Sequence, residues 1–523
     1  MYQVISKKLK TTIGGGAVII AALSIISRFL GLIRDRLLAS HFGAGDILDV
    51  YFAAFKLPDL IFNTLVLGAL SAAFIPVFVQ LWQAETERHK AWQLASGIIN
   101  ILTLVLIILG VVCFFGASQL MVIIAPGFSQ EKIELTVKLT RIMLLSIIFF
   151  GISNVFSGVL NSLKKFAVFS LAPIMYNLGI IFGIIFLVKP LGIIGLAWGV
   201  VLGAFFHLMI QVPPIMAAGF FWSRHFNWHL PEVKQVIKLM LPRTVALGIN
   251  QINQIVITII ASTLAAGSLA IFNFAFNLQS FPIGIFAISI ALAAFPAFSE
   301  SYSAGDQEGY MIQFSVATRR VLYLIIPLSA IIILLRAQIV RVTLGAGNFD
   351  WTDTILTADS LGFFCLSLFA QGVQPIFTRA FYARHDTKTP FFISLITLIL
   401  NLILSLFLTK KFGVEGLALA FSIASIINVL LLFIILRQRA GYLDEKQILA
   451  SVIKISLATL VAALVTQIAK PFFSFFVDMT TFWGVLIQGL FAGGLGLLTY
   501  VILTYYLKSP EIEVFKKFFL PKK

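Results

Sequence analysis

Apolar residues run through this chain in stretches long enough to cross a bilayer, and its polar residues gather in the short gaps between them. A spanning helix needs about 20 consecutive, mostly apolar residues, and windows of that length predict about fourteen such helices. Their limits fall near 17–40, 47–81, 94–116, 131–160, 166–188, 192–218, 235–264, 268–299, 312–336, 354–384, 389–409, 414–437, 447–469 and 480–506. The second, eighth and tenth exceed a single crossing and are expected to tilt, bend or project. Pro58, Pro282 and Pro296 are candidate bend points, because proline removes a helical hydrogen bond. The fold class that follows is an all-α polytopic membrane protein.

Composition narrows this further. Of 523 residues 59% are hydrophobic and 11% charged, against about 25% charged in a soluble domain, so no large soluble domain is expected. The formal net charge of +16 has a topological source. Lys7, Lys8 and Lys10, Arg88 and Lys90, Lys164 and Lys165, Arg319 and Arg320, Arg437 and Arg439, and the tail from Lys508 all fall on one face. The opposite face holds roughly a third as many cations, and cytoplasmic loops are the ones that collect Lys and Arg. Both termini are therefore expected in the cytoplasm. No basic stripe with interleaved aromatics lies outside the apolar segments, so nucleic acid is not an expected partner. The N-terminal run resembles a signal peptide, but Arg28 and Arg34 interrupt it, and it reads as a retained first helix.

Catalytic and metal chemistry find no foothold. Cys113 and Cys365 lie within apolar segments and read as small hydrophobes, and neither His207 nor His385 has a partner at metal-ligand spacing. No Walker loop, nucleophile elbow, HExxH or catalytic carboxylate pair is present. The expectation is no enzyme, no metal and no cofactor.

The chain also repeats itself. ASHFGAGDILDVYFAAF (39–55) aligns with ASTLAAGSLAIFNFAFN (261–277), and FLVKPLGIIGLAWG (186–199) with FLTKKFGVEGLALA (407–420), both offset by 221–222 residues. Six spans separate the copies, so the repeats are parallel and related by an axis along the membrane normal. Two pseudo-symmetric six-helix lobes are expected, 1–225 and 226–440, followed by two appended helices and a basic cytoplasmic tail in 441–523.

Charge distinguishes the lobes. Arg28, Arg34 and Lys56 sit within the first two spans, where a charge at the bilayer centre costs roughly 2.5–3.5 kcal/mol and usually faces a protein interior or watery cavity. Their equivalents at the common offset are neutral, Arg28 matching Asn250 and Arg34 matching Val256, while Asp49 matches Ile271. The first lobe thus predicts a cationic chamber whose natural occupant is an anion. Planar Arg forks with a mobile Lys suit a diphosphate. Asp49 is expected to pair with Arg28 or Arg34, or to compete with substrate for them. The second lobe offers uncharged polar side chains, among them Asn250, Asn253, Asn277 and Gln279, for hydroxyls and amides. Asn161 and Asn177 read as helix–helix hydrogen bonds.

The segments SRFLGLIRDRLLASHFGAG (27–45), DVYFAAFKLPDL (49–60), APGF (125–128), LAP (171–173) and FYARHDTKTP (381–390) resemble the MurJ/MviN family, across about 17–440. That family comprises bacterial flippases for the lipid-linked peptidoglycan precursor, within the multidrug/oligosaccharidyl-lipid/polysaccharide exporter superfamily. The resemblance implies two lobes around a central cavity, alternating access, a groove for a polyprenyl tail by the last two spans, and residence in the bacterial inner membrane. It carries over Arg28, Arg34, Asp49 and Lys56 as substrate-binding residues. Expected partners are a lipid-linked diphosphate glycan, membrane lipids and cell-wall synthesis proteins, with membrane potential or an ion gradient as the energy source. Two departures stand out. Phe62 and Leu67 follow FKLP where many relatives carry Arg and Glu, and Phe276, Asn277 and Ser280 stand where some carry an Asp-Arg pair and a Glu. They leave open a different lipid-linked oligosaccharide, and a drug or cation antiporter of the same superfamily is the alternative from another class.

Overall fold

The computed structural model describes residues 13–67 and 69–512. By packing the chain divides into two compact units, Met1–Leu269 and Ala270–Lys523.

The helices of the first unit are α1 (Ile13–Phe42), α2 (Asp46–Ala54), α3 (Lys56–Ile61), α4 (Ala69–Gln83), α5 (Arg88–Ile124), α6 (Gln130–Ser162), α7 (Phe166–Phe182), α8 (Val188–Leu191), α9 (Ile194–Met209), α10 (Val212–Met216) and α11 (Pro231–Ser262). Those running into or through the second are α12 (Ser268–Pro282), α13 (Ile288–Ser303), α14 (Gln307–Leu334), α15 (Arg336–Thr343), α16 (Trp351–Cys365), α17 (Leu368–Ala383), α18 (Lys388–Ala440), α19 (Glu445–Ser474) and α20 (Phe482–Tyr506). Among the described residues nine continuous helical stretches are long and apolar enough to cross a membrane, or ten when α16 and α17, bent by 46°, count as one. α18 is itself two helices joined at Gly413, whose φ of 56° interrupts it. α1 is long enough but carries the charges of the site, and the second span is broken into α2, α3 and α4. The expected fourteen segments are consistent with this set.

The internal repeat is written into the backbone. Gly192 (φ 59°) and Gly413 (φ 56°) are both left-handed, as are Lys164 (φ 58°) and His385 (φ 59°). Each pair is separated by the offset read from the sequence. A Cβ on Gly195 would lie 2.4 Å from the Leu187 carbonyl, and one on Gly416 would lie 2.6 Å from that of Leu408. Both glycines are therefore demanded by the same close helix approach. The two proline-bearing spans share a local feature. Helix α3 with Pro58 runs into a wide, π-type turn over Phe62–Leu67, and α12 ending at Pro282 runs into another over Ile283–Ala287.

In the first unit Phe74, Phe78, Leu94, Ile98, Val155, Val159, Val233 and Val236 form one apolar core. It draws on α4, α5, α6 and the start of α11. Though the repeat makes α11 the opening helix of the second copy, it packs here, and its C-terminal end is tied down. Gly127 of APGF donates its N–H to Ser262 Oγ (3.3 Å), and a Cβ there would overlap the Ser262 carbonyl at 2.2 Å. Helices α7 and α9 meet along glycines, where a Cβ on Gly179 would come within 2.2 Å of the Gly203 Cα. Small residues permit such contact, which replaces the hydrophobic drive that lipid cannot supply.

The second unit holds its last two spans by Tyr323, Ile455, Ala458, Ala462 and Tyr500, and by a buried ion pair. Arg319 Nη1 donates to Glu511 Oε1 at 2.9 Å, and Ser451 Oγ donates to the same oxygen at 2.9 Å.

Candidate substrate site

Arg34 is fixed from two sides. Its Nε and Nη2 both donate to Asp35 Oδ1, at 3.0 and 2.8 Å. Its Nη1 donates to Asn177 Oδ1 of α7 at 3.2 Å. Asn177 is itself oriented, since its Nδ2 donates to the carbonyls of Ser27 (3.3 Å) and Pro173 (3.1 Å). One amide thus bridges α1 to α7 and turns its oxygen toward the guanidinium. A guanidinium has five N–H donors, so two of Arg34's remain for a ligand. Asp35 is 3% exposed and offsets Arg34 electrically.

Arg28 lies six residues before Arg34, about 9 Å along the helix. It is half-buried, and among the described residues it has no ion-pair partner. Lys56 is buried at the start of α3 and likewise has no ion pair, with the Asp59 carboxylate one turn on as its electrostatic neighbour. Proline explains how α2 and α3 are held here. Pro58 has no N–H to give the Ala54 carbonyl four residues back, and Thr140 Oγ1 of α6 donates to that carbonyl instead, at 3.2 Å. Of the three candidate cations Arg28, Arg34 and Lys56, only Arg34 has a paired carboxylate among the described residues.

Asp49 has another position. Its Oδ2 accepts the Gly267 N–H at 2.7 Å, and the residue is 2% exposed. Gly267 has φ 86°, and a Cβ on it would lie 1.8 Å from the Ala44 carbonyl. The loops that follow the first span and the seventh, equivalent by the repeat, thus meet back to back, with Asp49 locking the contact. The carboxylate seated on Arg34 belongs to Asp35.

Of the uncharged polar residues, Asn253 in α11 and Asn277 in α12 are half-buried. The side chain of Asn250 lies outside the described residues. Gln279 is fully buried, and neither of its amide atoms has a hydrogen-bond partner among the described residues; in this conformation it has no surface to offer a ligand. Both departures from the family pattern are taken up by aromatic contacts. Phe62 packs against Phe150 (ring centroids 4.8 Å apart), and Phe276 against Phe364 (5.8 Å) and Phe421 (5.7 Å). Sequence reasoning did not assign Asp35 or Thr140 to the site, and gave Asn177 a packing role only. The signals were Pro58, which leaves a carbonyl to satisfy, and Asn177 four residues beyond the proline of LAP.

A repeated bundle of spanning helices with buried and half-buried cations in its first two spans is the fold of a membrane transporter. A multidrug resistance transporter of the MATE family, solved inward-facing, superposes with a TM-score of 0.68 at 15% identity over 82% of this chain and 99% of that one, which speaks to the fold alone. The chain belongs to the MurJ family: the family model described as lipid II flippase MurJ matches residues 38–486. A probable lipid II flippase MurJ of Buchnera aphidicola (subsp. Acyrthosiphon pisum) is 30% identical over 502 residues, 95% of this chain and 98% of that protein. The lipid II flippase MurJ of Burkholderia cenocepacia is 28% identical, over 81% of this chain and 83% of that protein. A solved lipid II flippase MurJ in an inward closed conformation superposes with a TM-score of 0.77 at 27% identity, covering 94% of this chain and 99% of that one.

Proposed function

We propose that this protein is a flippase that moves lipid II, a polyprenyl-diphosphate-linked peptidoglycan precursor, from the inner to the outer leaflet by alternating access. The observation that carries the chemistry is the pair Arg28 and Lys56, cations within the first two spans without paired carboxylates among the described residues. Such charges are stable only where an anion or water meets them. The diphosphate supplies the anion, with the two free N–H groups of Arg34 as an oriented addition. Its glycan meets uncharged polar side chains and its tail stays in lipid. Bound diphosphate neutralises cations that otherwise repel, and so favours a conformation the empty site resists. Membrane potential acts on the same charges, at about 2.3 kcal/mol per elementary charge per 100 mV, and is the proposed energy source. The protein resides in the bacterial cytoplasmic membrane with both termini inside, alongside the cell-wall synthesis proteins that consume its product. An antiporter of drugs or cations calls for acidic coupling residues; the unpaired charges here have the opposite sign.

Complementation of a strain depleted of its essential precursor flippase tests the reading. The native chain should restore growth, whereas Arg28→Ala and Arg34→Ala should not, at equal membrane abundance. Growth restored by both variants would overturn it.

A further inference from the structure

Between α10 and α11 the connection 217–230 lies along one stripe of α5 as a hood. Ser96 Oγ donates to the Phe221 carbonyl (3.2 Å) and accepts the Ser223 N–H (3.3 Å). Asn100 Nδ2 donates to the carbonyls of Ser223 (2.8 Å) and His225 (2.9 Å), while its Oδ1 accepts the Trp222 Nε1–H (2.9 Å). Asn227 Nδ2 donates to the Gln93 carbonyl at 3.0 Å. Gly97 completes the stripe, since a Cβ there would press on the Phe226 carbonyl at 3.0 Å.

This places the hood at a particular depth. With 37 residues, α5 is about 55 Å long, well beyond the roughly 30 Å hydrocarbon core. Its apolar window begins near residue 94, which by composition leaves the turns before it outside the hydrocarbon, and the hood packs on residues 93–100 at that boundary. Trp222 and Trp228 are exposed on it, as amphipathic rings are at headgroup level.

Beside the hood a notch of about 540 Å³ lies between α5, α6 and α9, lined by Ile99, Thr103, Ile152, Phe156 and Leu208. At its lip Leu104 and Ile107 are exposed. Arg224 borders the same notch; it is exposed and has no ion pair among the described residues. An apolar slot on the apolar window of α5, bordered by an exposed cation and by the exposed Trp222, is complementary to an acyl chain carrying a negative head.

We propose that this notch binds an anionic phospholipid of the adjoining leaflet, one acyl chain in the slot and the phosphate on Arg224. The site is separate from the cations assigned to the flippase substrate, and its test does not depend on transport. Native mass spectrometry of the full chain, released from detergent supplemented with phosphatidylglycerol or phosphatidylcholine, counts retained lipids. The native protein should hold one phosphatidylglycerol with a preference of about tenfold, the equivalent of about 1.4 kcal/mol. Arg224→Gln should erase the preference, and Ile107→Trp, which fills the slot from its exposed lip, should abolish retention of both lipids at unchanged Tm. Should Ile107→Trp lower Tm, Leu104→Phe decides in its place. Phosphatidylglycerol retained undiminished by Arg224→Gln, or by the slot-filling variant at native Tm, reduces the lipid to ordinary annular contact and overturns the proposal.

Discussion

Asp49 and Gly267, 218 residues apart, are joined by a 2.7 Å hydrogen bond from the glycine N–H to the carboxylate. The left-handed glycine backbone sits against the Ala44 carbonyl in the same contact. A hydrogen bond to a charged acceptor contributes about 1.5–3 kcal/mol. Asp49→Leu should therefore free the 263–267 loop. Hydrogen exchange at the Gly267 amide should accelerate by at least about tenfold, corresponding to about 1.4 kcal/mol. Asp49→Asn, which keeps an acceptor oxygen, should fall between. Exchange unchanged in Asp49→Leu would show that the loop is held without it.

Asn177 offers a way to disturb Arg34 while the cation remains. Asn177→Leu removes the bridge to the Ser27 carbonyl and leaves the guanidinium held by Asp35 alone. Translocation should drop by roughly tenfold, whereas Arg34→Lys should drop further because the planar fork is lost. Reconstituted lipid flipping measures both, and an Asn177→Leu variant as active as the native protein would remove Asn177 from the site.

Thr140 answers a defect created by Pro58. Thr140→Val strands the Ala54 carbonyl, at a cost of about 1–3 kcal/mol for an unsatisfied buried acceptor. Pro58→Ala returns the helical N–H, so in that background the same Thr140→Val change should cost under about 0.5 kcal/mol, the range of an uncoupled surface substitution. A double-mutant cycle on detergent stability reads the coupling. Equal costs in both backgrounds would break the link.

Arg319 and Glu511 are a buried pair, and removing one partner of such a pair costs about 3–5 kcal/mol. Glu511→Ala should loosen the final two spans, visible as faster proteolysis near residue 509. Arg319→Met with Glu511→Leu should be milder than either single change. A harmless Glu511→Ala would show that apolar packing alone docks these helices.

Outside the membrane, burial disfavours the Asp386 carboxylate. The N–H and hydroxyl of Thr389 and the guanidinium of Arg439 outweigh burial, so its pKa lies below the usual carboxylate range. A depressed folded-state pKa gives stability that is complete above the unfolded value near 3.9 and is lost as pH falls through the folded value. The native protein should lose a stabilising increment below about pH 4 that Asp386→Asn never had. Melting curves from pH 3 to 7 should therefore converge for the two proteins at the acid end; a constant separation would exclude the carboxylate as the cause.

Much of this was legible from residues alone. The repeat offset read at Gly192 and Gly413 reappears in their backbone angles, because a left-handed turn demands glycine wherever it recurs. The long apolar windows became helices for the same elementary reason, that lipid leaves no other partner for the backbone. Asp49 shows the limit. Its charge and position were plain, but its partner is a backbone N–H contributed by a distant loop, and no spacing rule reports that. Arg34 stood out as a candidate cation, while the carboxylate that holds it is the adjacent Asp35, which the sequence pattern did not mark. The packing of α11 against α4 and α5 was hidden as well, because a parallel duplication assigns that helix to the second copy whichever neighbour it chooses.

The wide turns at Phe62–Leu67 and Ile283–Ala287 each carry one residue of slack. A single helical wheel drawn through either span goes out of phase there by about 100°, one residue's rotation. Residues on the two sides of the turn must be assigned to faces separately. Each span is also longer in sequence than in path, so removing one residue inside the turn shortens nothing that the membrane measures, while the same deletion elsewhere in the helix rotates every side chain beyond it away from its neighbours.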